Sequence, residues 1–338
     1  MTSKILGAQT VRFDRPPSVA SSACAVGKKE GAGPLADSFD YIFSDDYMGE
    51  KTWEKAEAAL QEKAFSLALA KYPEPVSGIR CVFAGDLLNQ CTASSGALKE
   101  RGIPFFGLYG ACSTMAEAAF LAAAAVDGGY AEAAAAVTSS HFCSAERQFR
   151  FPLEYGGQRP PTSQWTVTGS GALIVSASGN GPYITHGTAG IIRDAGVKDA
   201  NSMGSAMALA AYETLSAHFS DTGLAPESYD LIVTGDLGSV GHEILCSLFA
   251  RGGTDISAFY RDCGMLIYDS EAQDTHSGGS GCGCSASVLC GPLLNGMRSG
   301  RWNRILFAAT GALMSPTSVM QGEDILGICH AVAFSNTK

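Results

Sequence analysis

Ile103–Gly129 reads IPFFGLYGACSTMAEAAFLAAAAVDGG, and its three parts decide the fold. The apolar run ending near Tyr109 predicts a strand, Gly110-Ala111-Cys112-Ser113-Thr114 a tight turn, and the alanine-rich remainder a helix. Cys112 stands at the turn, close to the helix N-terminus. Such an elbow presents a side chain to a ligand, and the helix dipole favours negative charge there, whether a thiolate or a bound anion. The plain alternative is a small buried hydrophobe, which describes most free cysteines.

Working outward, a strand at Ile79–Ala84 leads into Gly85-Asp86-Leu87, and a strand follows the elbow helix at Ala133–Thr138. The clearest helix is Trp53–Tyr72, with Trp53, Ala56, Leu60, Ala64, Leu67 and Tyr72 on one apolar face and Pro73 beyond its end. Gln9–Phe13 is a short strand candidate, and Val167–Ala177 a longer one. Between them, residues 138–166 are polar, aromatic and proline-bearing, which predicts a long loop excursion from the scaffold.

From about residue 183 the same order returns. Met48-Gly49 is echoed by Met203-Gly204 before the helix Ser205–Phe219, and Phe83-Ala84-Gly85-Asp86-Leu87 by Val233-Thr234-Gly235-Asp236-Leu237. The elbow corresponds to Met265–Tyr268 and the glycine-rich Ser277–Ser285, followed by a helix at Ala286–Met297. Ala135–His141 matches Phe307–Leu313, and Ala172–Ala177 pairs with Ile328–Phe334. Recurring element order argues for duplication, and alternating strands and helices for mainly parallel sheets covered on both faces. The expected halves are 1–180, carrying the 138–166 excursion, and 181–338.

With 338 residues, 46% hydrophobic and 17% charged, the composition is that of a compact globular protein. A net charge of −10 without a Lys/Arg cluster argues against nucleic acid and against direct adhesion to anionic lipid. No stretch approaches the roughly 20 apolar residues of a membrane span, and MTSKILGAQTVRFD lacks the apolar core of a signal peptide. Eleven cysteines, an odd number, predict a reducing compartment rather than a disulfide framework. These features predict cytoplasmic synthesis.

A duplicated α/β body with a cysteine elbow in its first half resembles the thiolase superfamily. More narrowly, GDLLNQ (85–90), FGLYGACST (106–114), TSSHFCSAERQFRFP (138–152), EYGGQ (154–158), VTGSGA (167–172), MGSAM (203–207), TGDLGSVG (234–241), DCGMLIY (262–268), GGSGCGCSA (278–286) and ATGALMSPT (309–317) resemble the stage V sporulation protein AD family. The resemblance implies a five-layer αβαβα fold from two duplicated halves with mainly parallel or mixed sheets, and a homodimer. It also implies a non-catalytic role: binding dipicolinic acid or its calcium chelate, with no other cofactor. The family is regarded as acting with the membrane proteins of the spore dipicolinate-transport complex, peripheral to the spore inner membrane.

Condensing enzymes of the superfamily need histidine with a second histidine or asparagine beside the cysteine. The loop expected to carry an HxxN-type motif reads Gly235-Asp236-Leu237-Gly238, and the second reads Gly278-Gly279-Ser280-Gly281-Cys282-Gly283. Neither holds the histidine, although His242 and His276 lie close by. The alternative, a Cys112-dependent acyltransferase or condensing enzyme acting on acyl-CoA, therefore lacks an aligned base.

As a ligand site, Cys112 would form the floor, with the N–H groups of Ser113 and Thr114 donating to a carboxylate. His141 is set at the pocket mouth, against the alternative of a surface loop histidine. Arg147 and Arg150 offer guanidinium forks for carboxylates, against a solvated or interface ion pair. Gly281 and Cys282 form a close-approach wall. His330 is a further candidate, although a satisfied core histidine is the plainer role on its strand. Cys282, Cys284 and Cys290 lack the spacing of a zinc site, and no metal ligand set is expected.

Overall fold

The computed structural model describes residues 4–149 and 158–338. The first half contributes β1 (Ser18–Val26), α1 (Trp53–Lys71), β2 (Ile79–Gly85), β3 (Phe105–Leu108), α2 (Thr114–Asp127), β4 (Ala133–Ser140), α3 (Phe142–Phe149) and β5 (Gly169–Ser176). The second contributes β6 (Tyr183–Thr188), α4 (Met203–Thr222), β7 (Leu231–Thr234), α5 (Gly238–Arg251), β8 (Tyr260–Asp262), α6 (Cys282–Val288), β9 (Arg304–Leu313) and β10 (Leu326–Ser335).

The strand order is β3-β2-β4-β5-β1 in one half and β8-β7-β9-β10-β6 in the other. The two orders superimpose strand for strand. In each, the three strands at the outer end pair in parallel, and the remaining pairs are antiparallel. The sheets are thus mixed. The inner edge strands meet through the single register pair Ser18↔Tyr183.

Three apolar layers separate these elements. On one outer face, Ala56, Leu60, Ala64, Phe65 and Ala68 of α1 pack on Val82, Ala135, Val137 and Ile174. On the other, Met207 and Leu215 of α4 and Leu245 and Phe249 of α5 cover Ile232, Leu306 and Ala331. Between the sheets lie α2 and α6, touching strands of both halves. A helix apolar on every side belongs in such a layer. Ala116, Ala118, Ala119, Ala122 and Ala123 are all fully buried there. The result is a five-layer αβαβα body of two duplicated halves.

Three local expectations change. The second inner helix begins at Cys282 rather than Ala286, and Leu289–Leu293 form a π turn before helix resumes at Leu294–Arg298. Pro292 lies inside that turn; proline has no N–H to give to the ladder, and a π turn accommodates the missing bond. The 138–166 excursion contains the regular helix α3, with residues 150–157 outside the described set. The helix predicted at Ser205–Phe219 extends to Met203–Thr222. Among the described residues, no helix is long and apolar enough to cross a membrane.

The elbow is seated on the other half. A Cβ at Gly311 of β9 would lie 2.4 Å from the carbonyl oxygen of Gly110 and 3.0 Å from the nitrogen of Ser113. Backbone cannot yield as a flexible side chain can. Gly311→Ala is therefore expected to cost about 1–3 kcal/mol of stability, read as a lower denaturant midpoint with an unchanged slope. An unchanged midpoint would show that the elbow moves aside freely.

Candidate functional site

The sequence Gly110-Ala111-Cys112 makes the sharp turn required of it. Ala111 takes a left-handed φ of 49°, a strained conformation for a residue with a side chain, and Cys112 follows at the head of α2. Above it runs a slot lined by Leu87, Tyr109, Ala111, Cys112, Ala145, Glu146, Phe149, Thr166, Met203, Ser280, Ala312 and Met314. It contains about 440 Å³ of unfilled space, narrow enough that water-sized spheres can centre in only about 40 Å³ of it. The lining is mostly apolar, with Tyr109, Glu146, Thr166 and Ser280 as its polar members.

Beneath the floor lies Asp236, fully buried at the end of β7. Its Oδ2 accepts the Gly281 N–H at 2.9 Å and its Oδ1 accepts the Thr310 hydroxyl at 2.8 Å. Cys112 is a neighbouring thiol whose ionisation the Asp236 charge opposes. Gln164 Nε2 holds the Asp236 carbonyl at 2.6 Å. Gly281 reaches this position with φ of 101°, and a Cβ there would lie 2.6 Å from Ser140 Oγ. Glycine is the residue that takes such a backbone without strain.

Burial pushes the Asp236 pKa up to about 7 despite its donors. Burial, and then the neighbouring Asp236 charge, push the Cys112 thiol well above its ordinary value. The thiolate expected from the helix dipole is thus not favoured: loss of water and a carboxylate outweigh the helix terminus. Glu57 and Asp86 form a buried acid pair. Glu57 accepts the hydroxyls of Ser139 at 3.1 Å and Ser144 at 2.6 Å, and Asp86 accepts Ser94 Oγ at 2.6 Å. Burial, with Asp86 nearby, raises Glu57 to about 8.

The sequence candidates divide. Cys112, Gly281 and Cys282 come together, with Cys282 packed beside Cys112 and its thiol donating to the Ser139 carbonyl at 2.9 Å. Ser113 and Thr114 do not offer free amides: their N–H groups bond to the carbonyls of Gly110 and Ala111 and close the turn. Neither residue lines the slot.

His141 is fully buried away from the slot lining, with Nε2 donating to the Asp46 carbonyl at 2.8 Å and Nδ1 accepting the Cys143 N–H at 3.2 Å. It fixes the start of α3. Arg147 faces outward, ion-paired to Glu54 and 5.1 Å from the Trp53 ring, so the ion-pair alternative describes it. Arg150 lies outside the described residues. His330 accepts the Gly190 N–H on Nδ1 at 3.1 Å, and burial lowers its pKa to about 4; it is a structural histidine of β10.

Sequence reasoning passed over Asp236, Glu146, Tyr109 and the apolar walls. Asp236 carried a usable signal: it is the second-half counterpart of Asp86, at a strand end where the chain turns toward the centre. Among the described residues, no group of three or more His, Cys, Asp or Glu side chains is placed to hold a metal.

Folded Asp236 and Glu57 keep protons to about pH 7 and 8, whereas carboxyls in the unfolded chain release them near 3.8 and 4.5. The folded state therefore binds more protons in that window, and these two groups make stability fall as pH rises through it. The buried histidines act oppositely and only below their ordinary 6.5. The denaturation midpoint is expected to fall between pH 6.5 and 8, and Asp236→Asn or Glu57→Gln to flatten that fall. An equal slope in the variants would remove these acids as its cause.

A family profile described as Stage V sporulation protein AD matches residues 7–335. The Stage V sporulation protein AD of Bacillus subtilis is 44% identical over 331 residues, covering 98% of each chain. Among solved structures, 3-oxoacyl-acyl-carrier-protein synthase III from Aquifex aeolicus aligns with a TM-score of 0.59 at 14% identity, over 94% of this chain and 99% of that one. An OleA variant from Xanthomonas campestris aligns with a TM-score of 0.61 at 15% identity, over 96% and 99%. At such identities the two structures show the fold, which is thiolase-like. From the profile and the Bacillus subtilis relative together, the chain belongs to the stage V sporulation protein AD family.

Proposed function

We propose that the protein is a non-catalytic binder of dipicolinate, as the free acid or its calcium chelate, and that the Cys112 slot is the binding site. Dipicolinate is a flat pyridine carrying two carboxylates. The observation that carries the reading is the slot itself: a narrow space with Leu87, Phe149, Met203 and Met314 on its walls, ending on a thiol that burial keeps protonated. Flat apolar walls suit a planar ring, and the unbranched side chains of Met203 and Met314 can rotate to admit it. Tyr109, Thr166 and Ser280 bring hydroxyls to the same space.

The protein would pass the ligand to membrane proteins of the spore dipicolinate-transport complex and work peripherally at the spore inner membrane. A homodimer fits the edge strand β3. Phe105, Phe106 and Tyr109 are 40%, 53% and 44% exposed along it, and an apolar strand edge left open invites pairing with another strand. Tyr109 also lines the slot, so pairing there would shape the site.

A second reading, acyl transfer through Cys112, draws on one observation: a buried carboxyl, Asp236, whose pKa burial raises to about 7, lies behind the wall that carries the thiol. Two measurements separate them. Calorimetry with sodium dipicolinate is expected to show saturable binding, weakened at least tenfold by Cys112→Leu, which fills the floor; no heat at millimolar ligand removes the binder. Intact mass after incubation with acyl-CoA is expected to show no adduct, and a Cys112-linked acyl group would establish the transferase instead.

A further inference from the structure

Whatever anion enters the slot meets acids first. Glu146 lines it, with the Thr166 hydroxyl donating to its carboxylate at 2.9 Å. Asp236 stands just behind the lining: it accepts the N–H of Gly281, which lies between Ser280 of the slot wall and Cys282, packed against Cys112. The titratable groups set around Asp236 are themselves acids or thiols: Cys112 from the elbow, Cys282 and Cys284 from α6, Asp262 and Cys263 at the end of β8, and Cys329 from β10. Asp236 cannot turn away from the floor, since Gly281 and Thr310 hold one oxygen each.

A carboxylate ligand above an ionised Asp236 would face a like charge in a region from which water is excluded, where charges interact strongly. We propose that the slot takes its anionic ligand together with one proton, and that Asp236 is the residue that holds this proton. This rests on the ligand reading given above. The proton comes from solvent and returns to it on release; no covalent bond is made or broken. Protonated, the carboxyl is neutral and becomes a donor, so the floor no longer sets a like charge against the ligand. The pKa raised to about 7 by burial is consistent with a group poised to take up this proton. The positioning role of Asp236 thus fills the place where an acyl-transfer enzyme would set a base.

The test is calorimetry of the full chain with sodium dipicolinate in calcium-free phosphate and Tris at pH 8, buffers that differ widely in heat of ionisation. The ligand's carboxylates are fully ionised there, so buffer-dependent heat reports protons taken up by the protein. The expected result is close to one proton per ligand, with affinity falling about tenfold per pH unit between 7.5 and 9. In Asp236→Asn the uptake should vanish and affinity stop varying with pH. Binding with equal heats in both buffers overturns this inference alone, and so does uptake that persists in Asp236→Asn. Absence of binding at every pH overturns the ligand reading and this inference with it. Should the variant fail to fold, the two-buffer comparison on the unaltered protein decides by itself.

Discussion

Everything in this molecule depends on fitting a layer of helix between two sheets. Sheets that each carry helices on their outer faces must bury their inner faces too, and they do so on α2 and α6. A helix gripped from both sides can carry little side-chain bulk toward either sheet, and the run of buried alanines in α2 follows from that. The elbow is a by-product of the same geometry. For α2 to enter the layer directly from β3, the chain must turn within Gly110–Ser113, and the left-handed Ala111 records the tightness of the turn.

That constraint explains why the fold was legible. Alanine and glycine beside apolar runs, the strand–turn–helix at Ile103–Gly129, and the echo of GDLL in GDLG all come from backbone requirements, which fall on contiguous residues. The site was legible only where it shares those requirements. Cys112 and Gly281 are dictated by the elbow and by the close approach to Asp236. His141, Arg147 and His330 were chosen for chemical type, and type says nothing about direction. Each spends its polar atoms on a neighbour that sequence does not place beside it: the Asp46 carbonyl, Glu54 and the Gly190 amide. Ser113 and Thr114 failed for another reason. The turn that exposes Cys112 uses their amides to hold itself together.

The electrostatics run against the first impression of a reactive cysteine. A helix terminus contributes a fraction of a charge at most, while complete burial and a carboxyl neighbour act on the thiol directly. The interior under the slot is populated by acids whose partners are hydroxyls and backbone amides: Asp86, Glu57 and Asp236. Such groups resist ionisation and preserve a dry floor.

The junction of the two sheets has a consequence for how the chain comes apart. Their inner edge strands share one register pair, Ser18↔Tyr183, and only short pairings add to it, Thr10–Arg12 with His186–Thr188 and Trp165–Thr166 with Gly279–Ser280. The broader join is the inner apolar layer, in which Met115 and Val126 pack in one cluster with Phe307, Val332 and Phe334. Neither half can open without wetting that common layer. Each half is complete in topology yet incomplete as a folding unit, and the expected behaviour is a single cooperative transition, despite a chain length at which two independently melting domains would be ordinary.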